Sequence, residues 1–250
     1  MVTAVFPAAG QGRRMNVGMN KVFLELAGKP ILVHTLLRFS ASSEIDNLVV
    51  VVAEEDVSSI RRLLSHVPGL KPFQVVAGST ERQYSIANGL AVVPEEADIV
   101  LVHDAARPLT SVATIDGVVQ ATREVGGAVA AVPAKSTIKL VDEDGVVVKT
   151  PPRDKVWEVQ TPQGFRKDIL LAAYQKAKED GFLGTDDSSL VERLAVPVKV
   201  VASDYKNIKV TTPEDLLIAE VFLKEEGDGL RGMVKQTIQK TKEKMKKHLR

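Results

Sequence analysis

Short runs of β-branched and aliphatic residues alternate along the chain with stretches whose apolar positions recur every three or four residues. Val2–Phe6, Leu48–Val52, Phe73–Val76, Ile99–Val102 and Ala128–Val132 read as largely buried strands. The segments between them, Pro30–Phe39, Glu54–Leu64, Thr80–Val93 and Ser111–Glu124, carry helical spacing. Pro30 suits a first helical turn, and Thr110 or Ser111 offers a cap to the last of these helices. Strand–helix alternation of this kind predicts an α/β fold: a mainly parallel sheet with helices on both faces. Ligands in such sheets sit outside the carboxyl ends of the strands. The loops after Phe6, Val76 and Val102 are therefore the places to search for chemistry.

After Val132 the rhythm changes. Ser136–Val141 and Val146–Thr150 flank Asp142-Glu-Asp-Gly145, the signal of a β-hairpin. Such a hairpin, spanning about 134–156, reads as an arm leaving the sheet, and its unpaired edges call for a cover such as a second subunit. Helical spacing returns at Arg166–Lys178 and Asp186–Leu194, a strand follows at Val198–Val201, and a last helix runs from Pro213 to about Glu225. Residues 1–226 are expected to form one domain. Beyond them, 227–250 opens on Gly227-Asp-Gly229 and continues as a Lys/Arg-rich, helical extension with Met233, Ile238, Met245 and Leu249 scattered through it. Its partner is not legible, and an anionic partner is one option.

Charge narrows the function classes. Thirty-three Lys and Arg residues balance 32 Asp and Glu, leaving a net charge of +1. That argues against a general nucleic-acid surface, and a single Trp argues against a stacking platform for single strands. The absence of cysteine removes disulfides, thiolate metal sites and a Cys nucleophile, and fits a reducing compartment. No apolar run reaches the roughly 18–20 residues of a membrane span, and the first strand begins too early for a leader peptide. A cytoplasmic protein without membrane or nucleic-acid partner is expected.

Three loops carry the candidate chemistry. The first, Pro7-Ala-Ala-Gly-Gln-Gly-Arg-Arg-Met15, follows the first strand. Its Gly10-Gln-Gly12 lacks the third glycine of a dinucleotide fingerprint, where Met15 stands instead, and no Gly-Lys-Ser/Thr completes a Walker A loop. What remains is a glycine-rich turn whose N–H groups can cradle phosphate, with Arg13, Arg14 and Lys21 adding positive charge. The second, His103-Asp-Ala-Ala-Arg107, offers Asp104 to Mg²⁺ and Arg107 to a phosphate. The same two residues also suit a plain ion pair, and His103 is either a general base or a structural histidine. The third, Gly78-Ser-Thr-Glu-Arg-Gln-Tyr-Ser85, supplies a glycine, hydroxyls and a helix start suited to a base or ribose. Thr137, Arg153, Thr185 and Lys209 are weaker candidates singly. Asp186 and Asp187 suit either a paired-carboxylate hydrolase or helix capping.

Taken together, these segments resemble the bacterial 2-C-methyl-D-erythritol 4-phosphate cytidylyltransferases of the non-mevalonate isoprenoid pathway. The likeness is carried in order by PAAGQGRRM, NKVFLELAGKPIL, AGSTERQYSI, VHDAARP, AKSTIKLV, QTPQGF, TDDSSLVE and NIKVTTPEDL, from residue 2 to about 224. It implies a Rossmann-like nucleotidyltransferase fold and a homodimer with embracing arms. It also implies transfer of CMP from CTP to methylerythritol phosphate, with Mg²⁺ and release of pyrophosphate. Carried over residue by residue, it implies catalytic roles for Arg14, Lys21, Arg153 and Lys209. It places CTP against Ala8, Ala9, Gly10, Gly12, Gly78, Ser79, Thr80, Ser85, Asp104 and Ala105, with Asp104 at the metal. Arg107, Thr185 and Lys209 would meet the sugar phosphate, and Thr137 and Arg153 would come from the partner's arm. Two positions depart from the family pattern. Ser79-Thr80 stands where many relatives have Gly and Asp, and Pro151-Pro152 replaces a common Leu-Asp or Val-Asp. The alternatives are a ribitol-5-phosphate cytidylyltransferase and an inactive nucleotide-binding scaffold.

Overall fold

Successive side chains of β1 (Val2–Pro7) enter opposite cores: Ala4 and Phe6 on one side, Val5 on the other, all fully buried. The structure, a computed structural model, describes residues 1–10 and 21–227, with side chains at 1–10 and 22–226. After β1 come a short hairpin, β2 (Glu25–Leu26) and β3 (Lys29–Pro30), then α1 (Ile31–Ser40) and β4 (Asn47–Val52). A 3₁₀ turn at Glu54–Asp56 leads into α2 (Val57–Ser65), followed by β5 (Phe73–Ala77), α3 (Arg82–Leu90), β6 (Ile99–Val102), α4 (Val112–Val125) and β7 (Gly127–Pro133). The hairpin β8 (Leu140–Val141) and β9 (Val147–Lys149) precedes β10 (Trp157–Arg166), α5 (Lys167–Glu179), α6 (Asp187–Glu192), β11 (Lys199–Ala202) and α7 (Pro213–Gly227).

One sheet runs in the order β11-β7-β10-β6-β1-β4-β5, with β10 antiparallel to both neighbours and the other pairings parallel. Phe6, Leu48, Val50, Val52, Ile99 and Leu101 face α1, α2 and α4. Val5, Val49, Val51, Val100 and Val102 face α3, α5 and α6. A third cluster seats Ala219 of α7 with Leu26, Ile31, Leu109 and Val210. Both faces of the sheet are thus covered, as its nearly continuous apolar strands require.

The expected strands and helices form within a few residues of their predicted bounds. Ser111, not Thr110, caps α4: its Oγ accepts the Thr114 N–H at 3.1 Å. The helix expected from Thr80 starts at Arg82, and the arm strands are shorter than predicted. The sequence pattern does not predict β10. Its Gln160-Thr-Pro-Gln-Gly164 stretch breaks apolar alternation, and the ladder to β7 shifts register between Val159 and Gln163. The polar residues there are nonetheless buried, because side chains from other loops satisfy them.

The sheet order sets the site. From β1 the chain passes to β4 and β5 on one side and to β6 on the other, so the carboxyl ends of β1 and β6 flank a topological switch point. Close packing of α3 holds the third loop beside it. A Cβ on Gly89 would lie 2.8 Å from both Val5 Cγ1 and Val51 Cγ2. Gly89→Ala is therefore expected to destabilise the fold by about 1–3 kcal/mol, read as a lower urea midpoint at unchanged slope.

Candidate functional site

The loops after β1, β5 and β6 meet in a cleft of about 970 Å³ lined by Ala8–Gly10, Gly78–Thr80, Arg82, Ser85, Asp104–Ala106 and Lys209. Two backbone bonds set its width: Ala8 N–H to Val51 O at 2.6 Å and Gly78 N–H to Val52 O at 2.7 Å. A Cβ on Gly78 would lie 2.6 Å from Ala9 Cβ and 2.9 Å from Ser85 Oγ, so only glycine lets the first and third loops close on each other. Ser85 Oγ accepts the Ser79 N–H at 2.9 Å and donates to Ser79 O at 3.1 Å. The third loop is fixed by these bonds, while the Ser79 and Thr80 side chains remain exposed.

Asp104 forms the floor. Its carboxylate lies 2.8 Å from Lys209 Nζ, 3.4 Å from Arg82 Nε and 3.6 Å from Arg107 Nε. Burial alone would raise its pKa, but Lys209, Arg82 and Arg107 overcome that and hold the carboxyl well below the usual range. Arg107 is pushed down by burial against the pull of Asp104, and its Nη1 donates to Asn207 O at 2.7 Å. Its Nε is buried without a hydrogen-bond partner. Arg82 reaches beyond Asp104 to Asp187, at 2.9 Å. Asp187 is fully buried and also accepts the Tyr174 hydroxyl at 2.5 Å. Burial works against the Arg82 charge, yet Asp187 and Asp104 raise its pKa.

The structure sorts the candidates. Ala8, Ala9, Gly10, Gly78, Ser79, Thr80, Ser85, Asp104, Ala105 and Lys209 line the cleft. Arg107 stands behind Asp104. Gly12, Arg13, Arg14 and the Lys21 side chain lie outside the described residues, as does the extension from 228 onward. Thr137, Arg153 and Thr185 are exposed and do not line the cleft of this single chain. His103 is fully buried, and burial pushes its pKa down to about 3. Its ring lies 4.7 Å from that of Phe39, so a neutral structural histidine replaces the general-base alternative. Asp186 and Asp187 do not form a carboxylate pair in the cleft: Asp186 caps α6 and Asp187 holds Arg82. Among the described residues no group of three or more His, Cys, Asp or Glu is placed to hold a metal. Arg82, Glu54 and Glu55 are cleft residues that the sequence did not single out. Arg82 stood inside the third loop, but nothing in the linear sequence revealed its partner 105 residues away.

The comparisons with known proteins agree with one another. Residues 2–225 match the family model for 2-C-methyl-D-erythritol 4-phosphate cytidylyltransferase. The chain is 46% identical over 224 residues to the enzyme of that name from Caldanaerobacter subterraneus, covering 89% of this chain and 99% of that one. It is 49% identical over 226 residues to the one from Geotalea uraniireducens, covering 89% and 97%. The solved 4-diphosphocytidyl-2C-methyl-D-erythritol synthase of Anaerococcus prevotii superposes with a TM-score of 0.81 at 34% identity, covering 90% of this chain and 98% of that one. Among the described residues no helix is long and apolar enough to cross a membrane.

Asp186 gives a pH test of the segment next to Thr185. Burial would raise its pKa, but bonds from Gln163, Ser188 and Ser189 lower it. A depressed carboxyl contributes stability that is complete above the unfolded Asp pKa of about 3.9 and is lost as pH falls through the lower folded value. Asp186→Ala should therefore cost roughly 1 kcal/mol at pH 7. In urea melts the gap to the native chain should close as pH falls below about 4.

Proposed function

The chain belongs to the 2-C-methyl-D-erythritol 4-phosphate cytidylyltransferase family, and we propose on that premise that transfer takes place in the cleft outside β1, β5 and β6. The reaction joins CMP from CTP to 2-C-methyl-D-erythritol 4-phosphate, giving 4-diphosphocytidyl-2-C-methyl-D-erythritol and pyrophosphate in isoprenoid precursor biosynthesis. The observation that supports the location is Asp104, a carboxylate held ionised among Lys209, Arg82 and Arg107 at the switch point of the sheet. In our reading the Ala8–Gly12 loop wraps the triphosphate, while Gly78, Ser79, Thr80 and Ser85 face the nucleoside and Asp104 with Ala105 lies near the ribose.

Direct transfer needs no covalent intermediate and no general base. The acceptor phosphate is already anionic at neutral pH. One of its oxygens attacks the α-phosphorus of CTP, the bond to the β-phosphate oxygen breaks, and pyrophosphate carries away the electron pair. Negative charge grows on the α-phosphoryl and leaving oxygens, so preorganised cations and positioning supply the acceleration. We assign the charge on the triphosphate side to Arg14 and Lys21, and the grip on the sugar phosphate to Arg107 and Lys209, joined by Thr185 from outside the lining of the cleft. Lys209 and Arg82 both line the cleft and pair with Asp104, and Lys209, the nearer of the two at 2.8 Å, can exchange one anionic partner for another.

Mg²⁺ fits this site in one way. A single carboxylate beside substrate phosphates is how Mg²⁺ is commonly held, whereas an all-protein cage would need a cluster of ligands that the described residues do not form. Asp104 would hold the ion together with the triphosphate, and the bound ion would supply charge neutralisation at the phosphates.

A homodimer accounts for the arm. Val146, Val147 and Val148 on the arm are 61%, 53% and 68% exposed, and Trp157 and Val159 at its root are also open. Apolar exposure on an unpaired hairpin favours an interface between copies of the chain. That arrangement would also deliver Thr137 and Arg153, which do not line the cleft of their own chain, to the cleft of the other.

Pyrophosphate release from CTP with matched polyol phosphates tests the reading. Methylerythritol phosphate should support turnover, and release with ribitol 5-phosphate alone would overturn the assignment. Arg14→Ala or Lys21→Ala should lower kcat by about 10²- to 10³-fold with little change in KM for CTP; near-normal turnover would remove that residue from the mechanism. Val148→Asp should shift sedimentation from dimer to monomer, and an unchanged dimer would exclude the arm as its interface.

A further inference from the structure

A closed chain of buried hydrogen bonds runs beneath the Asp104 floor. Thr161 Oγ1 accepts the Asp104 N–H at 3.0 Å and lies 3.0 Å from His103 Nδ1. His103 Nε2 lies 3.2 Å from both Arg107 O and Thr110 Oγ1. Thr110 Oγ1 donates to Asn207 Oδ1 at 2.6 Å, and Asn207 Nδ2 donates to Gln160 Oε1 at 2.8 Å and Thr161 O at 2.9 Å. The Asn207 carbonyl takes the Arg107 Nη1 proton at 2.7 Å, and two residues further on Lys209 reaches Asp104.

The proton directions are forced. Thr161 O is a carbonyl, so Asn207 must turn its amino group toward it and its oxygen toward Thr110. The Thr110 proton is then committed to Asn207, which leaves Thr110 Oγ1 and Arg107 O as acceptors for a proton on His103 Nε2. Nδ1 is consequently the acceptor, served by the Thr161 hydroxyl. His103 is thus the neutral Nε2–H tautomer with both nitrogens engaged, and Asn207 is the hub joining the β6 loop, β10 and the Lys209 segment.

We propose that His103 and Asn207 are a positioning pair for the transfer reaction, holding Arg107 and Lys209 in register with Asp104 without touching either substrate. The inference rests on the cleft assignment made above. Its physical basis is that charged groups act on a transition state only when placed to within a fraction of an ångström, and a displacement of about 1 Å can cost on the order of 10²-fold in rate. His103→Phe keeps a ring beside Phe6 and Phe39 but breaks the chain at both nitrogens. Asn207→Asp keeps shape but sets a carboxylate against Gln160 Oε1 and Thr161 O. His103→Gln restores a donor near the Nε2 position.

The test is steady-state kinetics on pyrophosphate release, paired with thermal melts, for these variants and the His103→Phe/Asn207→Asp double variant. His103→Phe and Asn207→Asp should each lower kcat/KM for methylerythritol phosphate by about 10²-fold while KM for CTP stays within about threefold. His103→Gln should recover about tenfold or more of the His103→Phe loss, and the double variant should be about as impaired as the worse single one, because the two residues act as one unit. Folded variants with near-native kinetics, or losses that only track the unfolded fraction, would overturn the proposal. Should His103→Phe fail to fold, His103→Gln and Asn207→Asp decide the matter by the same split. A native protein inert toward CTP and methylerythritol phosphate sinks the cleft assignment as well, whereas an active native protein with equally active variants sinks the positioning pair alone.

Discussion

A carboxylate removed from water must be paired, and removing one partner of such a pair typically costs more than the pair contributes. Asp104 meets that constraint with Lys209, Arg82 and Arg107, drawn from three separate parts of the chain. Satisfying this one side chain fixes the relation between the β6 loop, the start of α3 and the segment after β11. Arg82 carries the constraint outward to Asp187 and Tyr174, so the start of α6 is tied to the same floor. The positive charge collected around Asp104 is what a triphosphate and a sugar phosphate require. On the proposed assignment, the interaction that holds the cleft together is also the one its substrates draw upon.

The sheet makes this possible by bringing the carboxyl ends of β1 and β6 together at the switch point, with β5 delivering the third loop. Close approach is secured where side chains are smallest, at Gly78 against Ala9 and at Gly89 against Val5 and Val51. Below the floor, hydroxyl, imidazole and amide groups replace apolar packing. A core of that kind is stable only when every group in it is satisfied, and here the network closes on itself.

Much of this was legible in the sequence. The apolar runs of β1, β4, β5, β6 and β7 announce themselves because buried parallel strands are continuous in Val, Ile and Ala. The three loops followed from the strand ends, and most of their described candidate residues line the cleft. Three features were hidden because their cause lies elsewhere in the chain. β10 reads as a loop: Gln160, Thr161 and Gln163 are polar, and their burial depends on partners at Asn207, Asp104 and Asp186. Arg82 looked like an ordinary helix-start residue until Asp187 was placed beside it. Beside His103, only the fold could choose between a base and a buried neutral ring. Thr137, Arg153 and Thr185 were weak candidates singly and took definite roles only from the family likeness, and a single chain leaves them outside the lining of the cleft.

In the proposed transfer Asp104 carries no covalent chemistry; it would set the charge balance and geometry on which the cations act. Replacing it with Asn changes almost nothing in shape and leaves Lys209, Arg82 and Arg107 without their common anion. The most direct measurement is the rate of pyrophosphate release from CTP and methylerythritol phosphate by Asp104→Asn, alongside a melt that verifies folding. The expected result is a folded protein whose turnover falls by about 10²-fold or more, on the scale of losing one preorganised group. A folded Asp104→Asn protein turning over at the native rate would contradict it.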